Sequence, residues 1–299
     1  MAELARNQAP IPVKPDKEES VSLWKEGWRS FKKNKIALVG AAIVLFFILL
    51  AVFAPLLAPY EISEQNLSER LQAPSKEHLF GTDDFGRDIL SRVIYGARIS
   101  LWVGFFSVLG SVVVGSLLGI VAGYYGKWID AIISRIFDIM LAFPSILLAI
   151  GIVAVLGPSL QNALIAIAVI NIPNFGRLIR SRVLSIKQEE YIVAARAIGM
   201  SDARILFHHI LPNSMAPIIV QGTLAIATAI IEAAALGFLG LGAQPPNPEW
   251  GTMLASSKDF LTQAPWTMVF PGLAIMLTVL GFNLMGDGLR DALDPRMKS

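Results

Sequence analysis

Residues 100–125 read SLWVGFFSVLGSVVVGSLLGIVAGYY, with no charged side chain from end to end. As a helix rising about 1.5 Å per residue, a stretch of this length covers the roughly 30 Å of hydrocarbon in a bilayer. Within it Gly115, Gly119 and Gly123 fall four apart on one helix face. That spacing lets two helix backbones approach closely where lipid supplies no hydrophobic drive for association. The segment predicts a transmembrane helix and, with it, an all-α membrane protein.

Working outward, five further stretches qualify as spans: 36–58, 139–156, 160–175, 214–241 and 266–285. Six transmembrane helices are expected, the fourth short and the fifth long enough to tilt or break. Pro144, Pro217 and Pro271 lie in or near spans and predict bends. Composition agrees. Of 299 residues 54% are apolar and 16% charged, with mean hydropathy +0.59, whereas soluble domains carry about 25% charged residues. An ordinary soluble enzyme is excluded. A net charge of +2 gives no reason to expect nucleic acid, and the absence of cysteine rules out disulfides and thiolate metal sites. The first apolar run begins only at Ile36 and is too long for a cleaved signal core.

The basic residues orient the bundle. With the N-terminus cytoplasmic, all of the 25 Lys and Arg fall on the cytoplasmic side except Arg70, Lys76, Arg87, Arg92, Arg98 and Lys258. The positive-inside rule thus predicts a multi-pass protein with both termini in the cytoplasm. The domain plan is a cytoplasmic tail over 1–35, a first span over 36–58 and an external loop over 59–99. A five-helix core follows over 100–299, carrying a cytoplasmic loop at 177–213. In the tail, Val21, Trp24, Trp28 and Phe31 recur at helical spacing, interleaved with Lys25, Arg29, Lys32, Lys33 and Lys35. An aromatic stripe with a basic back suits a helix lying among lipid headgroups. Pro10, Pro12 and Pro15 discourage helix before it.

The 177–213 loop holds six basic residues with Glu189, Glu190 and Asp202, so it lies outside the hydrocarbon. The run from Ile192 to Ile198 predicts a helix stopped by Gly199. Ser201 is placed to cap a second short helix with Asp202 in its first turn, and Pro212 to end it. Alanines at 194, 195 and 197 leave little bulk, allowing close approach to a partner's groove. The plain alternative is an amphipathic loop resting on lipid.

Glu190-Tyr191-Ile192-Val193-Ala194-Ala195-Arg196-Ala197-Ile198-Gly199, followed by Ile210-Leu211-Pro212-Asn213, resembles the cytoplasmic signature of ATP-binding-cassette importer permeases. Val193 departs from the signature glutamate, and His209 from an apolar position. The resemblance extends through Phe80-Gly81-Thr82-Asp83-Asp84-Phe85-Gly86-Arg87-Asp88, Pro245-Pro246-Asn247-Pro248-Glu249-Trp250-Gly251 and Phe270-Pro271-Gly272 to Asp294-Pro295-Arg296. Together these stretches are similar to the C-type permease of dipeptide and oligopeptide importers, a group that also moves glutathione and nickel chelates.

That resemblance implies a type I ABC importer permease fold and a non-catalytic role in the bacterial or archaeal cytoplasmic membrane. It further implies a B-type permease partner, two cytoplasmic ATPases carrying ATP and Mg, an external solute-binding protein and a peptide substrate, with no cofactor on this chain. The 190–199 stretch would be the coupling helix docked in an ATPase cleft, with Glu190, Ala194, Ala195, Arg196, Gly199, Met200, Ser201, Leu211 and Pro212 as its residues. The chain has no G-x-x-x-x-G-K-[ST] motif; its one Gly-Lys pair, Gly126-Lys127, precedes Trp128.

Other residues carry weaker signals. Glu232 falls near the middle of the fifth span, where a carboxylate is costly and marks either a substrate path or a packed structural carboxylate. Asp83, Asp84 and Asp88 do not complete a calcium loop, and no metal site is expected. A helix start with Asp88 and Arg92 as an i,i+4 pair is preferred, with docking of the binding protein at Asp83 and Asp84 as a second role. Trp250 reads as an interfacial anchor or an external docking residue. His208 and His209 are adjacent rather than four apart and read as surface residues, and Asp287 as satisfying backbone groups at the end of the last span. Two rival readings account for less of the chain. An intramembrane enzyme lacks a nucleophile with its base, and a proton-driven transporter using Glu232 leaves the 177–213 loop without a purpose.

Overall fold

The computed structural model describes residues 23–293. Its helices are α1 (Leu23–Lys33), α2 (Lys35–Val52), α3 (Ala54–Leu57), α4 (Ile89–Tyr125), α5 (Lys127–Leu141) and α6 (Ser145–Leu156). There follow α7 (Leu160–Ile186), α8 (Glu190–Ala197), α9 (Asp202–Ile205), α10 (Leu211–Phe238), α11 (Trp250–Ser257) and α12 (Trp266–Leu293). A π-helical turn, Leu206–Ile210, joins α9 to α10. Five helical runs are long and apolar enough to cross a bilayer, and α5 with α6 makes a sixth only as a pair bent by 94°.

The third expected span is therefore corrected. The apolar pattern over 139–156 is continuous, yet α5 stops at Leu141 and α6 restarts after Pro144. Proline has no N–H to donate and its ring crowds the preceding turn. The 12 residues of α6 reach only about 18 Å, short of a bilayer. Other boundaries move as well, α12 running to Leu293 rather than 285. Helix α4 begins at Ile89 with Asp88 as its N-cap, where the sequence places a helix start, and continues unbroken through 100–125. Helix α7 runs to Ile186 rather than 175, because Arg177 and Arg180 are paired with Asp138 and Asp130 of α5.

The glycine stripe does what its spacing predicts. Ser107, Ser111, Gly115, Gly119 and Gly123 share one face of α4 and press onto α7. The Ser107 hydroxyl donates to Leu164 O at 3.1 Å and the Ser111 hydroxyl to Ala168 O at 2.8 Å. A β-carbon added at Gly115 would sit 2.7 Å from Ile172 O. Small residues and hydroxyls thus hold the largest helix–helix seam, as membrane packing favours.

Helices α4, α7, α10, α12 and α2 carry the chain between two sides. One side bears α11, the 59–88 segment and the head of α4. The other bears α8, α9, the end of α4, α1 and the end of α12. Asn34 caps α2, its Oδ1 accepting from Ile36 N and Ala37 N. Phe31 is buried against Ala37 and Ala292, while Trp28 stacks on Phe31, remains 58% exposed and has the Lys32 ammonium over its ring. Phe31 thus packs on the chain itself rather than among headgroups, while Arg29, Lys32 and Lys33 are exposed. Val21, the side chains of Trp24 and Lys25, and Pro10, Pro12 and Pro15 lie outside the described residues.

Candidate functional site

Helix α8 is rooted on one face and bare on the other. Ile192 is fully buried in a cluster with Tyr124, Ile179, Val183, Ile205, Ile210 and Ile218, and Ala195 is nearly as buried. The opposite face exposes Glu190, Val193, Ala194, Arg196 and Ala197, and Ile198 beyond it is 80% exposed. At Gly199 the backbone turns left-handed, φ 82°, with Gly199 N donating to Arg196 O and Met200 N to Ala195 O. This paired closure takes up the last carbonyls of a helix, and glycine adopts it without a Cβ penalty.

Two expectations about the next segment are overturned. Ser201 has the extended backbone of an N-cap but its hydroxyl makes no capping bond; instead the Asp202 carboxylate accepts from the Tyr124 hydroxyl. Pro212 does not end the second short helix. It sits in the first turn of α10, and α9, the π turn and α10 form one helical run, Asp202–Phe238. The wider π turn receives a residue that has no N–H and crowds the carbonyl four positions back. His208 and His209 lie on that turn. Asp287 also differs: α12 runs through it, and its exposed side chain has no helix end to satisfy.

Tyr124 is the residue the sequence reading missed. It is buried at the end of α4, its carbonyl accepts from Lys187 Nζ at 2.6 Å, and the Lys187 and Arg196 cations stand 5.5 and 5.2 Å from its ring. A tyrosine at the end of an apolar run reads as an ordinary interfacial anchor, so nothing local marks it.

Glu232 is buried at 8% exposure on α10. Its Oε2 accepts from Asn171 Nδ2 at 3.0 Å, Asn174 Nδ2 reaches Asn171 Oδ1 at 3.4 Å, and Ser145 at the head of α6 lies alongside. Thr228 shares the Glu232 face of α10, and Thr228, Asn174 and Ser145 are all exposed. Exposed polar side chains at membrane depth face water or protein rather than lipid. Asn171 was not singled out from sequence.

On the α11 side the expected pair Asp88–Arg92 does not form. Asp88 caps α4 by accepting from Ser91 N and Ser91 Oγ, both at 2.7 Å, and its other oxygen meets His78 Nδ1 at 2.9 Å. Arg92 turns to Asp83 at 3.6 Å and donates to Ile62 O at 3.0 Å. Asp83 also accepts from Phe85 N and Arg87 N and pairs with Arg87 Nε at 2.7 Å, so it organises its own loop. Asp84 is half-buried at the surface, where burial and the neighbouring Asp83 raise its carboxyl above the ordinary range.

Trp250 corrects both expectations for it. It has no exposed surface, its Nε1 donates to Val93 O at 3.0 Å, and Phe47 packs edge-on 5.7 Å away. A side chain so enclosed neither anchors in headgroups nor touches a docking protein. Beside it Glu249 caps α11, accepting from Gly251 N at 2.8 Å and Thr252 N at 2.9 Å, and burial pushes its carboxyl up to about 7. Among the described residues no group of three or more His, Asp or Glu side chains is placed to hold a metal ion.

Comparison with known proteins places these features. Residues 115–299 match the model of the "binding-protein-dependent transport system inner membrane component" family, and residues 22–74 that of the "N-terminal TM domain of oligopeptide transport permease C". The chain is 66% identical over 96% of its length, and 95% of the relative's, to a dipeptide transport system permease protein of Alkalihalophilus pseudofirmus. It is 51% identical to a di/tripeptide transport system permease of Pseudomonas aeruginosa, over 92% of this chain and 93% of that one. It is also 49% identical to a glutathione transport system permease of Pectobacterium atrosepticum, over 97% of each. Among solved structures, the inward-facing MetNI methionine ABC transporter aligns with TM-score 0.56 at 21% identity, over 69% of this chain and 98% of that one. The shared architecture is the type I ABC importer permease fold.

Proposed function

Because the chain belongs to the family of binding-protein-dependent transport system inner membrane components, we propose that it is the C-type permease subunit of an ATP-driven importer of dipeptides or oligopeptides. The α8 side then faces the cytoplasm of a bacterial or archaeal cell and the α11 side faces outward. A B-type permease completes the path and a solute-binding protein delivers the peptide. Two ATPases bind ATP and Mg2+ and do the hydrolysis, while this chain is non-catalytic and binds no cofactor.

One observation carries the reading. The bare face of α8 sets Val193, Ala194 and Ala197, with Ile198 just beyond, between Glu190 and Arg196, on a segment too charged for the hydrocarbon. Exposed apolar surface of that kind outside lipid marks a protein contact, and the helix is fixed from behind by Ile192 and Ala195 so that a push on it is transmitted. Glu190, Ala194, Ala195, Arg196, Gly199, Met200, Ser201, Leu211 and Pro212 make up this coupling segment. In the test, the complete complex is reconstituted in vesicles and peptide uptake is counted per ATP hydrolysed. Leucine at position 199 has to adopt a left-handed backbone, which costs about 1–2 kcal/mol. Gly199→Leu is expected to keep hydrolysis while uptake per ATP falls tenfold or more. Normal coupling in that variant, or uptake by a complex stripped of its ATPases, overturns the proposal.

Glu232, with Asn171, Asn174, Thr228 and Ser145, is proposed to line the path, where its carboxylate meets the ammonium group of a passing peptide. Glu232→Gln is expected to raise the KM for uptake severalfold; unchanged uptake kinetics remove Glu232 from the path. The 49% identity to a glutathione permease keeps glutathione as the second reading of the cargo, with nickel chelates as a third. A panel of all three in the same assay separates them.

A further inference from the structure

Helix α8 joins the rest of the chain through two irregular connections, 187–189 before it and 198–201 after it. A loop held only by its own backbone would absorb a displacement rather than pass it on. Three separate elements of this region converge instead on one side chain of a span. Lys187, just after α7, gives its ammonium to the carbonyl of Tyr124 at 2.6 Å and stands 5.5 Å from the ring. Arg196, in the last turn of α8, places its guanidinium 5.2 Å from the same ring. Asp202, the first residue of α9, accepts from the Tyr124 hydroxyl. The ring is only 5% exposed and packs in one apolar cluster with Ile192 of α8 and Ile205 of α9. Aromatic faces attract cations, and a hydroxyl bonded to a carboxylate forms one of the stronger kinds of hydrogen bond.

We propose that Tyr124 is the positioning residue through which movement of α8 reaches the spans. Its face and hydroxyl clasp the residues before, within and after α8, and its backbone is the end of α4. Helix α4 in turn is locked along α7 by the seam from Ser107 to Gly123. A displacement of α8 therefore moves α4 and α7 as one body. No other described span ends in a side chain that touches both α8 and α9 by polar contacts. The inference rests on the coupling reading of α8 and goes beyond it by naming the point of attachment.

The test uses the full complex in vesicles, with uptake and ATP hydrolysis measured together. Tyr124→Phe removes the bond to Asp202 and keeps the ring; Tyr124→Leu removes both. Peptide moved per ATP is expected to fall about threefold in the first and tenfold or more in the second, while hydrolysis continues and the KM for peptide is unchanged. Asp202→Asn is expected to match Tyr124→Phe, since both weaken the same bond. A merely structural role would lower uptake and hydrolysis in proportion, and that result overturns the proposal, as does a wild-type ratio in Tyr124→Leu. Should Tyr124→Leu fail to assemble, the ratios in Tyr124→Phe and Asp202→Asn decide. Gly199→Leu is run alongside. If it uncouples and the Tyr124 and Asp202 variants do not, the attachment point is wrong and the coupling loop stands. If none uncouples, the coupling loop itself is wrong.

Discussion

On the α11 side Trp250, Glu249, Asp83 and Asp88 are all buried and their polar atoms are taken up within the chain. On the α8 side Ile198, Phe207 and Val193 stand 80%, 66% and 58% exposed, and the polar contacts converge on Tyr124. The first region ties up these polar groups internally, although Leu67, Leu79 and Leu261 stand exposed on its surface. The second is finished on its inner face and open on its outer one, as a surface awaiting a partner is. The difference teaches where to look for stability and where for coupling: truncation should unfold the one and disconnect the other.

The largest expected effect is at Trp250. Trp250→Ala removes a fully buried indole, its bond to Val93 O and its contact with Phe47, and is expected to cost about 3–5 kcal/mol, read as a lowered melting temperature of the purified complex. An unaltered melting temperature would break the comparison at its firmest point. Next is the pH response of Glu249. Its carboxyl is raised from an ordinary 4.5 to about 7, so the folded chain holds this proton more tightly than the unfolded one. The contribution to stability is full below about pH 4.5 and is lost as pH rises through about 7, on the order of 3 kcal/mol across that window. Thermal unfolding of wild type between pH 5 and 8 should show this decline, and Glu249→Gln should flatten it; the same slope in both would remove Glu249 as its source. The smallest effect on stability is expected at Ile198. Ile198→Ala should shift unfolding by less than about 0.5 kcal/mol yet reduce uptake per ATP. Loss of stability there would erase the contrast between the two sides.

The sequence made the spans legible because hydrocarbon thickness imposes a length that apolar runs display directly. It also made the α4–α7 seam legible in part: Gly115, Gly119 and Gly123 announce close approach, while Ser107 and Ser111 continue the same face without being apolar or small enough to stand out. Pro144 announced a bend between α5 and α6, but not one sharp enough to end the span, because 139–156 is apolar throughout. Charge misled at one boundary: Arg180 looks like a residue beyond the end of a helix, but it pairs with Asp130 of α5, fifty residues earlier in the chain. At the coupling segment, Gly199 declared itself, since a helix that stops at an exposed glycine needs a left-handed residue. Tyr124 and Trp250 did not, because which side chain a ring meets across the bundle is a tertiary fact.

The π turn at Leu206–Ile210 has a geometric consequence for the whole lever. Each residue of an α-helix advances the azimuth by about 100°, and a π turn accommodates one residue more than the regular winding would. The wider turn absorbs that residue locally, so the face of Glu232 keeps to the face of Asp202 the relation of a regular helix one residue shorter, within the single run Asp202–Phe238. Deleting one residue there would restore regular winding and leave Asp202 against Tyr124, whereas adding or removing a residue within the regular part of α10 would turn Asp202 and Glu232 apart by roughly 100°. Grip and channel wall stay in phase because one wide turn takes up one surplus residue.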